Sequence, residues 1–183
     1  MRKFFVRTVS RVANHIRLAS SPKHLSNVHR SRRVISALSK FDGEHLEPRA
    51  LAYLRKVDPL VFEDVVLSML EADGCFVLRN RRYTGDGGLD GRFWLPGGGR
   101  WAVQCKRYTG HVDPRDVEQF ARLVRDSFAG GIFVHTGRTG NMSYRLISGS
   151  NVLLLSGFDL VHAMTGRQGM LNLLAKKLGR HRY

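Results

Sequence analysis

Three side chains with the chemistry of a metal-assisted hydrolase lie close together in the sequence, at Asp90, Gln104 and Lys106. Carboxylate and amide oxygens are hard ligands of the kind that Mg²⁺ prefers in proteins. A lysine beside such an ion can orient a water molecule or stabilise negative charge on a phosphate oxygen. The set therefore predicts hydrolysis of a phosphate ester, provided that the fold brings the three side chains together.

The stretch 90–106 predicts a β-hairpin that would do so. An aromatic-rich extended run leads to the turn sequence Pro-Gly-Gly-Gly, and a second extended run follows it. Because side chains alternate between the faces of a strand, Gln104 and Lys106 share one face. Folding the hairpin then places Asp90 beside both of them at one end of a sheet. The side chains expected on the opposite, core-facing side are Trp101, Val103 and Cys105.

Two segments of this region resemble a known family. Tyr-Thr-Gly-Asp-Gly-Gly-Leu-Asp at 83–90, followed by Val-Gln-Cys-Lys-Arg-Tyr at 103–108, resembles the catalytic domain of Mrr-type restriction endonucleases, in which Gln replaces the Glu of many relatives. The resemblance covers roughly residues 58–164. It implies an α/β fold with a restriction-endonuclease-like core, in which helices flank a mixed central β-sheet. The alternative is a surface hairpin that carries Gln-x-Lys by chance.

The same resemblance implies a metal-dependent DNA endonuclease, either a restriction or defence enzyme or a structure-specific junction resolvase or nickase. Asp90 and Gln104 would bind Mg²⁺, with Mn²⁺ as a substitute, and Lys106 would assist hydrolysis. An active-site Glu is implied on the helix before the first strand, where Glu63 matches by position. A Glu near a helix N-terminus is also favourable without any function.

The glycine-rich loop before Asp90 supplies two further candidates. Gly88 can adopt a positive φ angle and let the backbone approach a ligand closely. Asp86 is a second metal-ligand candidate, which we expect to support the loop or the ligands, or to act as a turn former that bonds its own backbone. Asp90 is favoured as the ligand because it opens a strand and so has a defined direction.

The charge of the chain predicts an anionic partner. Among 183 residues the formal net charge is +15, which favours nucleic acid first and an acidic membrane second. The residues we expect to contact DNA are Arg107, Tyr108, Arg138, Arg32 and Arg33. Both cysteines, Cys75 and Cys105, lie in apolar strands and are expected as small core residues.

We divide the chain into a basic N-terminal extension, residues 1–56, mostly helical or disordered, and a nuclease-like domain, residues 57–183. Residues 1–41 contain no acidic side chain, and 1–18 show a mild helical pattern that Ser-Ser-Pro interrupts. The extension could contact phosphates, remain a solvated tail, act as a transit peptide or lie on an anionic membrane.

The remaining pattern predicts alternating helices and strands. Asp58-Pro59 and Asp113-Pro114 each combine an N-cap with proline at the first helical position. Asp116 is expected to complete an approximate capping box. The strands are expected near 75–78, 132–136 and 152–155, and the helices near 49–56, 58–72, 113–128, 141–148, 158–164 and 169–178, with Gly130-Gly131 ending the third helix.

Several functional classes stay open at this point. A DNA endonuclease, acting as a homodimer if it cuts both strands, is the first. A nucleic-acid-binding module without catalysis is the second, and a membrane-surface protein that uses the first helix is the weakest. No apolar run is long enough for a membrane helix, so we expect a cytoplasmic protein without an integral membrane segment.

Overall fold

The computed structural model describes residues 2–18, 21–80, 88–95, 98–165 and 169–181. Within these ranges helices and strands alternate after an all-helical beginning. In chain order they are α1 Arg2–Leu18, α2 Pro22–Leu38, α3 Leu46–Lys56, α4 Pro59–Ala72, β1 Phe76–Arg79, β2 Gly91–Trp94, β3 Arg100–Lys106, α5 Pro114–Ser127, β4 Gly130–His135, α6 Asn141–Ile147, β5 Val152–Leu155, α7 Gly157–Met164 and α8 Gly169–His181.

One mixed sheet of five strands, in the order β1-β2-β3-β4-β5, organises the molecule. The first three strands are antiparallel neighbours, whereas β3, β4 and β5 are parallel. Parallel neighbours need a crossover connection, which α5 supplies between β3 and β4 and α6 supplies between β4 and β5. The predicted α/β class with a mixed central sheet flanked by helices is confirmed.

The predicted hairpin is the antiparallel pair β2–β3. Its register pairs Gly91 with Val103 and Trp94 with Arg100. Pro96 and Gly97 of the predicted turn lie outside the described residues. Because Asp90 directly precedes β2, this register sets it opposite the end of β3 that carries Gln104, as the alternation argument required.

Helices cover both faces of the sheet, so side chains of β3 are buried on both sides. Trp101, Val103 and Cys105 belong to the apolar cluster beneath α4, as predicted. Ala102 belongs to a second cluster, in which Phe133 of β4 packs with side chains of α5. Strand β4 is buried on both faces, and its sequence is the near-continuous apolar run expected of a parallel central strand.

The aspartates predicted to start two helices do so. Asp58 accepts hydrogen bonds from the N–H groups of Leu60 and Val61, and Asp113 accepts from the N–H of Arg115. Each side chain thus satisfies donors that a helix N-terminus would otherwise leave unpaired.

The prediction that Gly130-Gly131 end α5 is wrong. The helix ends at Ser127, and both glycines belong to β4. A Cβ atom on Gly130 would lie 2.6 Å from the ring of Trp101, and one on Gly131 would lie 2.5 Å from Val124. The glycines are therefore required for close packing against β3 and α5, and not for a helix stop.

The N-terminal helices pack on the same body. Helix α2 lies across α4, α3 lies against α7, and α1 lies along β1, which is an edge strand of the sheet. Buried apolar side chains of α2 and α3, such as Leu38 and Leu54, join the cluster beneath α4. No helix in the described ranges is long and apolar enough to cross a membrane.

Candidate active site

The end of the hairpin forms one wall of an open cleft of about 370 Å³, and the first turns of α4 form the other. Glu63 projects from α4, Asp90 precedes β2, and Gln104 and Lys106 lie on β3. The residues that line the cleft are Pro59, Glu63, Gly88, Asp90, Gln104, Cys105, Lys106 and Arg107. The structure therefore brings together the acid, the amide and the lysine, and it adds the helical Glu.

The backbone of β3 fixes the position of Asp90. The N–H of Asp90 donates to the carbonyl of Val103 over 2.9 Å, which continues the ladder one residue beyond β2. The N–H of Cys105 donates to Oδ2 of Asp90 over 2.6 Å. One carboxylate oxygen is thus held by the strand that also carries Gln104 and Lys106.

The two carboxyl groups of the cleft are poorly solvated, and both have raised pKa values. Burial, and then the charge of Asp90, raises the pKa of Glu63 from 4.5 to about 8. Burial also raises the pKa of Asp90 from 3.8 to about 7, although the Cys105 N–H and the ammonium of Lys106 oppose the shift. Ionising both groups therefore places two negative charges in the poorly solvated cleft.

Lys106 is held from its other side by α5. Its Nζ lies 3.3 Å from Oδ1 of Asp116, and the hydroxyl of Tyr108 donates to Oδ2 of the same carboxylate. Burial, followed by the contact with Asp116, raises the pKa of Tyr108 well above its usual value, so the phenol keeps its proton. The backbone of Tyr108 is fixed in turn by the hydroxyl of Thr136.

The predicted role of Asp116 is wrong. It was expected to be the second half of a capping box on α5, whose N-cap is Asp113. Its carboxylate instead accepts from Lys106 and Tyr108. The only signal in the sequence was the short separation between Lys106 at the end of β3 and Asp116 in the first turn of α5.

The two candidates from the glycine-rich loop have different outcomes. Asp86 lies outside the described residues. Gly88 has a φ angle of +84°, in the region that favours glycine, and a Cβ atom there would lie 3.0 Å from Nε2 of Gln104. Glycine at this position therefore leaves room for the Gln104 amide in the cleft.

The expected DNA-contacting residues lie at different places. Arg107 is exposed at the cleft and donates to the carbonyls of Arg55 and Val57, over 3.0 and 2.6 Å. Arg138 is exposed in the loop after β4, next to the stretch that precedes α5.

The two arginines predicted on the extension point in different directions. Arg33 is exposed on α2. Arg32 instead points between the N-terminal helices, where its Nη2 lies 3.5 Å from Oε2 of Glu71. Burial, together with the charge of Arg11, lowers the pKa of Arg32. Arg33 therefore faces solvent, whereas Arg32 belongs to the helix packing.

A buried polar cluster behind the cleft was not predicted. Arg79 at the end of β1 is 1% exposed, and its guanidinium contacts Asp64 over 3.0 Å, Glu71 over 3.3 Å and Ser68 over 2.9 Å. The three partners lie one turn apart along α4, next to Glu63. The available signal was the spacing of these polar residues in an otherwise apolar helix, which places them on one face.

The chemistry of the cleft fits a divalent cation, although its ligand set is mixed. In the part of the chain that the structure describes, no group of three or more His, Cys, Asp or Glu side chains is arranged to hold a metal. Two carboxyl groups with raised pKa values nonetheless lie in one cleft, where a cation would favour their ionised forms, and an amide side chain lies beside them. The residues that could hold the ion are Asp90, Gln104 and Glu63.

Comparison with known proteins agrees with this geometry. No curated protein matches the chain. A family model, the Mrr catalytic domain described as a restriction endonuclease, matches residues 54–164. The match spans more than half of the chain, and it contains all the residues that line the cleft. The chain therefore belongs to the Mrr catalytic-domain family of restriction endonucleases.

Proposed function

We propose that the protein is a metal-dependent DNA endonuclease of the restriction or defence type, which hydrolyses phosphodiester bonds in the cleft between α4 and the β2–β3 hairpin. The observation that carries the proposal is the meeting of Glu63, Asp90, Gln104 and Lys106 in one cleft of a protein of this family. The net charge of +15 supports an anionic polymer as substrate.

The metal ligands in this proposal are Asp90 and Gln104, with Glu63 on the opposite wall. Mg²⁺, with Mn²⁺ as a substitute, would supply Lewis-acid stabilisation of charge on the phosphate oxygens. The N–H of Cys105 keeps Asp90 oriented, so the carboxylate does not have to reorganise during the reaction. Gly88 leaves the Gln104 amide the room that it needs.

Lys106 provides positive charge beside the reacting phosphate. Its ammonium can donate to a phosphate oxygen or to the attacking water. Asp116 restricts where the ammonium can lie, and Tyr108 orients Asp116 in turn. The side chains of β3 and α5 thus set the direction from which Lys106 approaches the scissile group.

Cleavage of both strands would require two such clefts, and a homodimer is the simplest way to supply them. We therefore propose DNA as the substrate and a second copy of this chain as the partner. Analytical ultracentrifugation with and without DNA measures the second part of the proposal directly.

Plasmid cleavage tests the function. Supercoiled plasmid, methylated and unmethylated, is incubated with the protein in Mg²⁺, Mn²⁺ or EDTA, beside the variants Asp90→Ala and Lys106→Ala. Asp126→Ala, a change at an exposed position on α5, is the matched control. We expect metal-dependent nicking or cutting that both cleft variants lose and the control keeps.

Other outcomes would replace the proposal with a different function. Cleavage of branched DNA alone would indicate a structure-specific nuclease. Retardation of DNA without cleavage on every substrate would indicate a non-catalytic binding protein. Cleavage by Asp90→Ala at the rate of the parent would show that the cleft is not the active site.

A further inference from the structure

A basic groove between α2 and α3 lies outside the catalytic cleft. It has a volume of about 450 Å³ and carries three cationic side chains, Arg30, Arg33 and Lys56. Its aromatic member, Tyr53, is 38% exposed. We call this feature the α2–α3 groove; the residues that line it are Arg30, Arg33, Val34, Ala37, Tyr53, Lys56, Val57, Asp58 and Val61.

The charge of the groove is strongly positive. Among the described residues that line it, Asp58 alone is acidic. Its Oδ1 atom accepts hydrogen bonds from two N–H groups at the start of α4. The helix N-terminus therefore offsets part of the one negative charge. Arg30 has a weak contact of 3.5 Å with Asn27, and both Arg30 and Arg33 are exposed. An anion in this groove would meet two accessible guanidinium groups and an ammonium group.

The groove adjoins the catalytic cleft. Val57 and Asp58 line the groove, and the next residue of the chain, Pro59, lines the cleft. Arg107 joins the two features, because it lines the cleft and its guanidinium donates to the carbonyl of Val57 over 2.6 Å. A polymer bound in the cleft would thus pass directly from Arg107 onto the basic side chains of the groove.

We propose that the α2–α3 groove binds the backbone phosphates of the DNA segment that flanks the scissile phosphate. This inference rests on the proposed nuclease function and extends the binding surface beyond the cleft. Guanidinium groups match phosphate oxygens in geometry and charge. Tyr53 provides an exposed aromatic surface for a sugar or for an unpaired base at a strand end.

The groove is a property of this chain and not of the matched domain alone. Arg30, Arg33 and Tyr53 precede residue 54, where the family match begins. A role in binding flanking DNA gives α2 and α3 a function in addition to packing against α4 and α7. It also predicts that affinity depends on the length of DNA beyond the cleavage position.

The test compares charge reversal in the groove with charge reversal elsewhere. The groove variant is Arg30→Glu/Arg33→Glu, and the control is Arg122→Glu/Arg125→Glu, which makes the same change in net charge on the second half of α5. Circular dichroism and thermal unfolding verify that both variants fold. A milder pair, Arg30→Gln/Arg33→Gln, replaces the groove variant if the reversal prevents folding.

Binding is measured by fluorescence anisotropy, with Ca²⁺ in place of Mg²⁺, for a short duplex that fills only the cleft and for a longer duplex. For the parent and the control we expect tighter binding to the longer duplex. For the groove variant we expect at least tenfold weaker binding to the longer duplex and little change for the short one. Two lost phosphate contacts should reduce the slope of log K against log salt by about 2.

The outcomes separate this inference from the proposed function. If the parent cleaves DNA and the groove variant binds both duplexes as the control does, the groove does not hold DNA and the nuclease assignment stands. If the parent binds DNA without cleaving it and the groove variant loses affinity for the longer duplex, the groove stands and the nuclease assignment fails. If the parent binds neither duplex, both the groove and the nuclease assignment are overturned.

Discussion

Replacing Glu63 with glutamine should stabilise the protein in the absence of metal, and only at high pH. A carboxyl group whose pKa rises on folding keeps its proton in the folded state at pH values where the unfolded chain has lost it. The parent therefore loses stability as the pH rises from 4.5, the ordinary pKa of Glu63, to about 8, its pKa in the cleft. Asp90 contributes in the same direction between 3.8 and about 7.

The size of the effect follows from the shift. Each unit of difference between the pKa in the folded chain and the pKa in the unfolded chain corresponds to about 1.4 kcal/mol in the free energy of unfolding. The Glu63 shift sets an upper limit of about 5 kcal/mol, and water at the open cleft together with the cost of burying an amide reduces the expected gain to roughly 2 kcal/mol. Glu63→Gln should thus match the parent near pH 5 and exceed it by that amount at pH 9.

Urea unfolding at pH 5, 7 and 9, with EDTA or with Ca²⁺, measures how the stability of the parent and the variant depends on pH and on a bound cation. A divalent cation at a hundredfold excess over its Kd should stabilise the parent by about 2.7 kcal/mol and the variant by less, because the variant has lost one negative charge beside the ion. Glu44→Gln, at an exposed position in the loop before α3, is the control and should change neither dependence. Equal midpoints for the parent and Glu63→Gln at pH 9, with equal stabilisation by Ca²⁺, would refute the reasoning.

Substitutions at three further positions test the surroundings of the cleft. Asp116→Asn should lower kcat about tenfold with little change in DNA affinity, because it frees the ammonium of Lys106. Asp116→Glu should restore part of the rate, and equal kcat values for the parent and Asp116→Asn would contradict this role. Gly88→Ala should weaken activity and metal-dependent stabilisation together, because the new methyl group would lie 3.0 Å from the Gln104 amide and the backbone keeps a positive φ angle. Unchanged stabilisation by Ca²⁺ in urea unfolding would count against this prediction. Arg79→Met should lower the free energy of unfolding by about 3 kcal/mol, because it removes the buried cation that contacts both Asp64 and Glu71. A loss below about 1 kcal/mol in urea unfolding would exclude a structural role for the cluster.

The hairpin and three of the cleft residues could be predicted from the sequence, because neighbouring residues determine both. Alternation along β3 fixes the faces of Gln104 and Lys106, and the turn fixes the register that brings Asp90 to them. The starts of α4 and α5 are equally local, since an aspartate followed by proline determines both. Glu63 required the family resemblance, because nothing in its own helix distinguishes an active-site acid from an ordinary one.

The long-range contacts were not predictable in this way. Asp116 meets Lys106 only because the crossover helix α5 returns beside the end of β3. Gly130 and Gly131 resembled a helix stop because that signal is common, whereas the real constraint is the ring of Trp101 and the side chain of Val124 beside β4. Both constraints arise from packing between segments that are distant in the sequence, and local propensity carries no information about them.

Helix α1 shows why an apolar pattern can mislead about which face of a helix is buried. Its apolar residues Val9, Val12 and Ile16 are exposed, whereas the polar residues Ser10 and Asn14, one turn apart, are buried. The reason is that α1 covers the edge strand β1, whose unpaired backbone groups need hydrogen-bond partners more than apolar contacts.

The hydrogen bonds of α1 replace part of a missing neighbouring strand. The hydroxyl of Ser10 accepts from the N–H of Val77, and the amide of Asn14 donates to the carbonyl of Val77 and accepts from the N–H of Arg79. Arg79 also bonds Asp64, which lies beside Glu63 on α4. A chain of buried polar contacts therefore connects the first helix to the wall of the cleft. Removing α1 would therefore expose a sheet edge and loosen the support of α4. The basic N-terminal segment thus contributes to the fold as well as to the positive charge of the surface.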